Sequence, residues 1–396
     1  MQLSSLLGHA SELVRIIRKS SQPADSIASD YFRSKKYLGS TDRRFISSLV
    51  FYTLRTLLLS EATREALGMD DVTHAAHFLM EPPANADLSF IETLPLHVQI
   101  NTQEWLLTST QRRWPDDAHE VWRSMMQPAP LVLRVNLRRT HRANVIAHLE
   151  SQGITCEEGK LAPGAIVVHQ RVNLLQHELY RNGIIEVQDE GSQLVGLACA
   201  VEEHDAILDA CAGAGGKSLH LADIQHDRGR ITAHDVEWQR LKEVSKRATR
   251  AGLRSIQVPR SLGKEKYSLV LVDAPCSGLG TVRRMPMAKW RITPELLQRH
   301  ANKQLKVLEQ YAPYVADGGV LMYATCSIMP EENEDVVCRF VERNPDFATE
   351  PIPARQGYLP GSLPGRVICP AEGSVLQVDP FHHSTDGLFM ARLRRV

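Results

Sequence analysis

Two cysteines stand at the positions of this sequence that are best placed for chemistry. Cys276 follows an apolar run in the phrase Val272-Asp273-Ala274-Pro275-Cys276-Ser277-Gly278, and Cys326 follows another in Tyr323-Ala324-Thr325-Cys326-Ser327. Such runs predict buried strands, and ligands of parallel sheets bind outside the carboxyl ends of the strands. We therefore expect both thiols and Asp273 to line one edge of one sheet. A site with two thiols beside a carboxylate calls for chemistry that uses a thiolate.

A glycine-rich phrase comes earlier, in Leu208-Asp209-Ala210-Cys211-Ala212-Gly213-Ala214-Gly215-Gly216-Lys217. It lies between a predicted strand and a predicted helix, where glycines let the backbone approach a ligand and a helix N-terminus faces it. Its spacing is neither that of a phosphate loop nor a strict Gly-x-Gly-x-x-Gly. Asp235 ends the next predicted strand, where a carboxylate can accept hydrogen bonds from ribose hydroxyls. The combination suits S-adenosylmethionine, NAD or another adenosine.

Alternating strands and helices must position these three phrases. After residue 188 the pattern predicts a helix to about 200, followed by strand 206–209, helix 217–224, strand 230–235, helix 237–251, strands 255–258 and 269–273, helix 294–315, strand 319–325 and helix 331–343. This alternation is typical of a parallel, doubly wound sheet, so the predicted fold class is α/β. A last strand is predicted over 386–393 and is expected to be antiparallel.

Two further regions precede this sheet. Residues 1–127 carry apolar residues at helical spacing and predict an all-α domain. Residues 128–187 change to short strand-like runs around one helix and predict a small α+β module, which leaves 188–396 for the doubly wound domain. Arg134 and Asn136 lie two apart on one predicted strand, so they share a face and could contact a phosphate or a base edge of RNA.

Composition describes an ordinary globular protein with zero net charge, 43% hydrophobic and 23% charged residues. No apolar run approaches the roughly 18 residues that a membrane span needs. The seven cysteines are scattered without a Cys-x-x-Cys pair, which disfavours both a disulfide framework and a zinc site and indicates a reducing compartment, so we expect a cytoplasmic protein. Residues 1–60 hold nine Lys/Arg against four acids, which fits either an RNA-binding face or solvated helices.

The three phrases together resemble the motifs of the Sun-type (Fmu) RNA cytosine-5 methyltransferases. Supporting phrases add to the resemblance: Pro330-Glu331-Glu332-Asn333-Glu334, Arg134-x-Asn136, Gln188-Asp189, Arg283-Arg284 with Lys289-Trp290, and Thr385-Asp386-Gly387. The match covers about residues 127–396. Residues 31–55 resemble the helical RNA-binding domain of the NusB antitermination factor. This extends the likeness to the N-terminus, as in the bacterial ribosomal-RNA members.

The resemblance implies a Rossmann-like methyltransferase domain preceded by an RRM-like α+β module and a NusB-like all-α domain. It implies that the enzyme is an RNA (cytosine-5-)-methyltransferase in which Cys326 attacks carbon 6 of cytosine and Cys276 helps product release. Asp273 would hold the cytosine edge, and Lys217 would face the substrate or the cofactor. The target base must be extruded or already single-stranded to reach such a site.

The same resemblance implies the binding partners. The methyl donor would be S-adenosylmethionine, held by Cys211, Ala212, Gly213, Ala214, Gly215, Gly216, Lys217, Asp235 and Asp273. The substrate would be RNA, most simply ribosomal RNA or a subunit precursor, contacted by Arg134, Asn136, Arg283 and Arg284. We expect a monomer that uses no metal and no membrane.

Two departures from the family pattern keep alternatives open. Pro259-Arg260-Ser261 follows Val258, where the family usually has an acidic residue for the cofactor adenine, and Met285-Pro286-Met287-Ala288 replaces a His-Pro-Asp phrase. One alternative is a catalytically silent RNA-binding or assembly protein. Another is a DNA cytosine-5 methyltransferase with Cys276 as nucleophile, which the Thr-Cys motif and the N-terminal regions disfavour.

Overall fold

The structure is a computed structural model that describes residues 1–170, 172–353 and 374–396. It divides into two compact units. One, the helical unit, contains Met1–Pro128 and Thr281–Ile292; the other, the two-sheet unit, contains Ala129–Gly280 and Thr293–Val396. The boundaries predicted at 127/128 and 187/188 stay predictions.

The helical unit is all-α, as predicted. α1 shows why: Ala10, Leu13, Val14 and Ile17 recur at the spacing of one helix face, and all four are buried. The helices are α1 Leu3–Lys19, α2 Ala24–Ser34, α3 Ser40–Arg55, α4 Leu57–Ala66, α5 Val72–Met80, α6 Leu96–Gln99, α7 Glu104–Thr110 and α8 Ala118–Ser124. Within the described residues no single helix is long and apolar enough to cross a membrane; α3 and α4, bent by 91°, meet length and composition limits only as a pair.

A four-stranded antiparallel sheet begins the two-sheet unit, in the order β2-β3-β1-β4. Its elements are β1 Leu131–Val135, α9 Arg142–Ser151, β2 Cys156–Glu158, β3 Ala165–Val168, α10 Glu178–Arg181 and β4 Ile185–Val187. This is the predicted α+β module.

Among the described residues the larger sheet has eight strands, seven of them in the order β10-β12-β9-β8-β5-β6-β7, while β11 pairs with β12. Its strands are β5 Ala206–Asp209, β6 Arg230–Ala233, β7 Ile256–Gln257, β8 Tyr267–Asp273, β9 Val315–Thr325, β10 Phe347–Thr349, β11 Val375–Val378 and β12 Leu388–Arg395. The helices that accompany it are α11 Glu190–Ala198, α12 Gly216–Ile224, α13 Trp238–Ala251, α15 Pro294–Tyr311, α16 Glu334–Arg343 and α17 Pro380–His383; α14, Ala288–Arg291, belongs to the helical unit.

Strands β5 to β9 pair in parallel, and β12 pairs antiparallel with β9, so the predicted Rossmann-like fold is confirmed. β8 shows why these strands are apolar throughout: Leu269 and Leu271 pack into the core on one face and Val270 and Val272 into the core on the other. The strand order reverses between β5 and β8, the place where such sheets bind ligands.

Candidate active site

The three phrases predicted to meet do so at the carboxyl edge of the larger sheet. Asp209 at the end of β5 is in register with Leu271 of β8, and Asp273 at the end of β8 is in register with Ala324 of β9. The loops that leave β5, β8 and β9 are therefore neighbours. They carry the glycine turn, Cys276 and Cys326 in that spatial order.

The two thiols touch. Sγ of Cys276 lies 2.9 Å from Sγ of Cys326, both thiols are free, and both residues are partly buried. The hydrogen bond with Cys326 raises the pKa of Cys276 well above its ordinary value, and burial and nearby negative charge add to this rise. The raised pKa favours the protonated form of Cys276, and a protonated Cys276 can donate its hydrogen to Cys326 and stabilise negative charge on that sulfur.

Lys217 and Asp273 form an ion pair beside these thiols. Nζ of Lys217 donates to Oδ2 of Asp273 at 2.6 Å, and only 13% and 29% of the two side chains is exposed. Burial alone would lower the pKa of Lys217, but the charge and hydrogen bond of Asp273, together with the charges of Cys326 and Asp209, raise it overall. The ammonium is therefore charged, and its positive charge stabilises a thiolate on Cys326.

The glycine turn has a backbone that other residues adopt poorly. Gly213 and Gly215 have φ of 54° and 84°, and α12 starts at Gly216. The N–H of Gly213 donates to Oδ2 of Asp235 at 2.8 Å, while Oδ1 of Asp235 accepts from the N–H of Glu237 at 2.8 Å. Asp235, two residues after the end of β6, thus holds the glycine turn in shape.

Two further side chains stabilise the turn from below. Ser218 donates to Oδ2 of the fully buried Asp209 at 2.5 Å. Burial, above all, raises the pKa of Asp209 to about 7. Burial likewise raises the pKa of the Cys211 thiol, so Cys211 is a packing residue of the turn and not a nucleophile.

Comparison with known proteins decides the family. The family model for 16S rRNA methyltransferase RsmB/F matches residues 196–394, and a second model, the ferredoxin-like domain of the RsmF/B-like methyltransferases, matches residues 103–175. The probable ribosomal RNA small subunit methyltransferase B of Bacillus subtilis is 33% identical over 313 residues, which is 76% of this chain and 68% of that protein. The chain belongs to the RsmB/F family.

Solved structures agree with the RsmB/F fold. The crystal structure of PH0851 has a TM-score of 0.78 at 22% identity and covers 98% of this chain and 99% of its own. NSun6 from Pyrococcus horikoshii with SFG has a TM-score of 0.65 at 18% identity and covers 74% of this chain and 98% of its own. The family predicted from the motifs is confirmed. The chain is an S-adenosylmethionine-dependent rRNA methyltransferase, as that family implies.

The residues present fit the adenosyl part of an RsmB/F cofactor. Each carboxylate oxygen of Asp235 accepts one backbone N–H, and Oδ2 also lies 3.8 Å from Nη1 of Arg240, so each oxygen keeps a lone pair for a ribose hydroxyl. The N-terminus of α12 opens at Gly216, where a side chain would meet nothing closer than the Arg247 guanidinium at 4.0 Å. Of the predicted cofactor residues, the turn 211–217, Asp235 and Asp273 come together at one edge.

The predicted RNA contacts of the small module are internal in this structure. Arg134 is 3% exposed and donates to Gln188 Oε1 at 2.6 Å and to Asp223 Oδ2 at 3.3 Å. Asn136 is 6% exposed and donates to the carbonyl of Gly183 at 3.3 Å. Arg134 joins the small sheet to α12, whereas Asn136 bonds within the small module, and contact with RNA would require these bonds to open. Their role in RNA binding stays a prediction.

Arg283 and Arg284 lie in the helical unit. Arg283 is buried and donates to the carbonyl of Pro128 at 3.3 Å, and its own carbonyl accepts two hydrogen bonds from Arg55. Arg284 is exposed. The same segment explains a departure from the family pattern, because Met287 is part of the core of the helical unit.

Sequence reasoning missed one buried carboxylate at the site. Glu332 belongs to the motif Pro330-Glu331-Glu332-Asn333-Glu334, which by itself indicates no role for it, but the side chain is fully buried and bonded to both cysteine loops. A glutamate in a short motif directly after the second cysteine is the only signal that could have indicated it.

Proposed function

We propose that this protein methylates carbon 5 of a cytosine in small-subunit ribosomal RNA, with Cys326 as the nucleophile. The observation that carries the proposal is the contact between Cys276 and Cys326 at 2.9 Å, next to the Lys217–Asp273 ion pair. The names of the curated relatives support ribosomal RNA of the small subunit as the substrate.

Carbon 5 of cytosine is a poor nucleophile, so the ring needs prior addition of a thiolate at carbon 6. Cys326 suits this step because it accepts a hydrogen bond from Cys276 and lies near the Lys217 ammonium. A new bond from Sγ to carbon 6 moves electron density to carbon 5. Asp273, held by Lys217, would bind the cytosine edge and favour protonation of its ring nitrogen.

The methyl donor, when bound by the glycine turn and Asp235, supplies an electrophilic methyl group. Once carbon 5 carries the methyl, a proton leaves carbon 5, the bond to Cys326 breaks, and its electron pair returns to sulfur. Cys276 lies beside the breaking bond and would assist this elimination. The two thiols thus take different steps of one cycle.

Partners follow from this chemistry. We expect RNA contacts from Arg284, the exposed member of the predicted set, and from Arg134, Asn136 and Arg283 if their present bonds open. We also propose a cytoplasmic monomer that needs no metal. The substrate is ribosomal RNA, either free or in an assembling subunit.

Methyl transfer to RNA tests the proposal. Purified protein and a labelled methyl donor are incubated with total RNA from a strain that lacks the protein, and labelled nucleotides are mapped. We expect 5-methylcytosine at discrete positions of the small-subunit RNA, and no label in RNA from the parent strain. Retained RNA binding without transfer would instead support a silent assembly protein.

A further inference from the structure

One buried carboxylate binds both cysteine loops. Glu332 ends a 3-10 turn, Pro330–Glu332, and is 0% exposed. Its Oε1 accepts the backbone N–H of Ser277 at 2.8 Å, and its Oε2 accepts the hydroxyls of Ser277 and Ser327. These serines directly follow Cys276 and Cys326 in the chain. The carboxylate therefore fixes the two loops at the residues next to their thiols.

The partners of Glu332 are all hydrogen-bond donors. Besides the two hydroxyls and the backbone N–H, the side-chain amide of Gln304 donates to Oε1 at 2.9 Å. Gln304 also donates to the carbonyl of Pro275 at 3.2 Å, so it reinforces the Cys276 loop. A set of four donors suits an ionised carboxylate, which only accepts, and hydrogen bonds to such a group are about twice as strong as neutral ones.

The next residue holds the Cys326 loop from its other side. Oδ1 of Asn333 accepts the hydroxyl of Thr325 at 2.6 Å, and its Nδ2 donates to the carbonyl of Ser327 at 3.0 Å. The residues before and after Cys326 are thus both fixed. In addition, the N–H of Gly280 donates to the carbonyl of Cys326 at 2.9 Å, which ties the end of the Cys276 loop to Cys326 itself.

We propose that Glu332 is a positioning residue that holds the two cysteine loops together, so that the thiols stay in contact and keep separate tasks in the reaction. The separate tasks of the two thiols rest on the proposed function, whereas the contact between the two thiols does not. Glu332 touches neither thiol in its hydrogen bonds; it acts through Ser277 and Ser327. Its motif, noted in the sequence for the resemblance alone, thereby gains a physical role.

The charge of Glu332 has a second effect. After the hydrogen bond with Cys326 and burial, the charges of Cys326 and Glu332 contribute to the raised pKa of Cys276. A fixed negative charge here favours the thiol form of Cys276 over its thiolate. Cys276 then donates its hydrogen to Cys326 and does not compete with it as a nucleophile.

Thiol reactivity tests the proposal without RNA. In full-length Cys326→Ala protein, iodoacetamide labelling of Cys276 is followed by peptide mass spectrometry from pH 6 to 11, with and without Glu332→Gln. We expect Glu332→Gln to lower the labelling midpoint by roughly one pH unit, because a negative charge close to the thiol is lost. Glu342→Gln, which changes an exposed carboxylate on α16, should leave the midpoint where it was.

Turnover supplies the second measurement. With Cys276 and Cys326 intact, Glu332→Gln should raise the ratio of covalent protein–RNA adduct to methylated product about tenfold, since release depends on a correctly placed Cys276. Glu332→Asp keeps the charge but shortens the side chain, so it should keep the labelling midpoint and still raise the ratio. If Glu332→Gln does not fold, as judged by circular dichroism, Ser277→Ala with Ser327→Ala removes the same loop contacts.

An unchanged midpoint together with an unchanged ratio in Glu332→Gln would overturn the proposal and leave Glu332 a purely structural residue. A wild-type protein that forms no adduct and no product would count against the proposed function alone. In that case the midpoint still decides whether the charge of Glu332 acts on Cys276.

Discussion

At the scale of single residues, two chemically identical side chains acquire different properties. Cys276 and Cys326 touch, and the hydrogen bond between them, burial and the nearby Glu332 charge raise the pKa of Cys276 well above its ordinary value. Lys217 adds a positive charge near Cys326. The division into attacking and releasing thiols thus has a physical basis in the surroundings of each sulfur.

Substitution of each thiol should reveal this division. We expect Cys326→Ala to lower methyl transfer by at least about 10³-fold, because no nucleophile remains for carbon 6. Cys276→Ala should still attack but release slowly, so a protein–RNA adduct should survive denaturing gel electrophoresis. The roles would be reversed if Cys326→Ala formed the adduct while Cys276→Ala showed neither turnover nor adduct.

At the same scale, Asp235 should determine the affinity for the methyl donor. Asp235→Ala removes the acceptor for the Gly213 N–H and the predicted partner of the ribose, so we expect the dissociation constant for S-adenosylmethionine to rise about 10- to 100-fold. Isothermal titration calorimetry measures this change. Asp227→Ala is a matched control, since Asp227 also accepts backbone N–H groups, from Arg254 and Ser255, but precedes β6 at the opposite edge of the sheet. Equal losses in both variants would contradict a ribose contact.

At the scale of elements, helix α14 places a buried lysine in the helical unit. Nζ of Lys289 donates to the carbonyls of Arg55 and Asn101, and burial, with the charge of Arg55, lowers the pKa of Lys289 to about 7. An unfolded chain keeps this lysine protonated up to its ordinary pKa of 10.5. Between pH 7 and 10 the unfolded state therefore binds more protons, and the free energy of unfolding should increase with pH.

Lys289→Met should remove this pH dependence. In the parent protein, we expect the titration of Lys289 to increase the free energy of unfolding by on the order of 2–4 kcal/mol between pH 7 and 10. This increase should be absent in Lys289→Met. Urea unfolding followed by tryptophan fluorescence measures it, because Trp105, Trp114, Trp122 and Trp290 lie in the helical unit. Both proteins would carry Trp238→Phe to silence the two-sheet unit. Parallel pH curves for the two proteins would contradict the shifted pKa.

At the scale of the whole molecule, the sequence predicts what depends on local pattern. The spacing of apolar residues predicts the alternating strands and helices. Because Cys276 and Cys326 each follow a predicted strand, the sequence also predicts both thiols at the carboxyl edge of the sheet. The face on which a strand residue lies also follows from the local sequence, but the element that packs on that face does not. Arg134, predicted to contact RNA, is buried and donates to Asp223 of α12, and this contact joins residues 89 positions apart.

The segment Thr281–Ile292 is the clearest case of a placement that the sequence could not give. The family resemblance of Arg283 and Arg284 implies an RNA-contacting loop, but the residues of this segment complete the helical unit. Arg291 donates to four carbonyls around the end of α1, those of Ile17, Ser20, Ser21 and Gln22, where helix carbonyls lack partners. Only the folded arrangement of helices far upstream creates these acceptors.

This arrangement predicts that two neighbouring methionines differ sharply in their importance. Met287 is 7% exposed in the core of the helical unit, whereas Met285 is 50% exposed. Met287→Asp would bury a charge without a partner and should lower the free energy of unfolding of the helical unit by about 3 kcal/mol or more, while Met285→Asp should change it by less than about 0.5 kcal/mol. Tryptophan fluorescence in urea measures both.

Because the glycine turn and Asp235 belong to the other compact unit, calorimetric affinity for S-adenosylmethionine should stay within about twofold in both variants. If Met287→Asp lost affinity for S-adenosylmethionine in the absence of urea, the expectation that cofactor binding depends only on the two-sheet unit would be wrong.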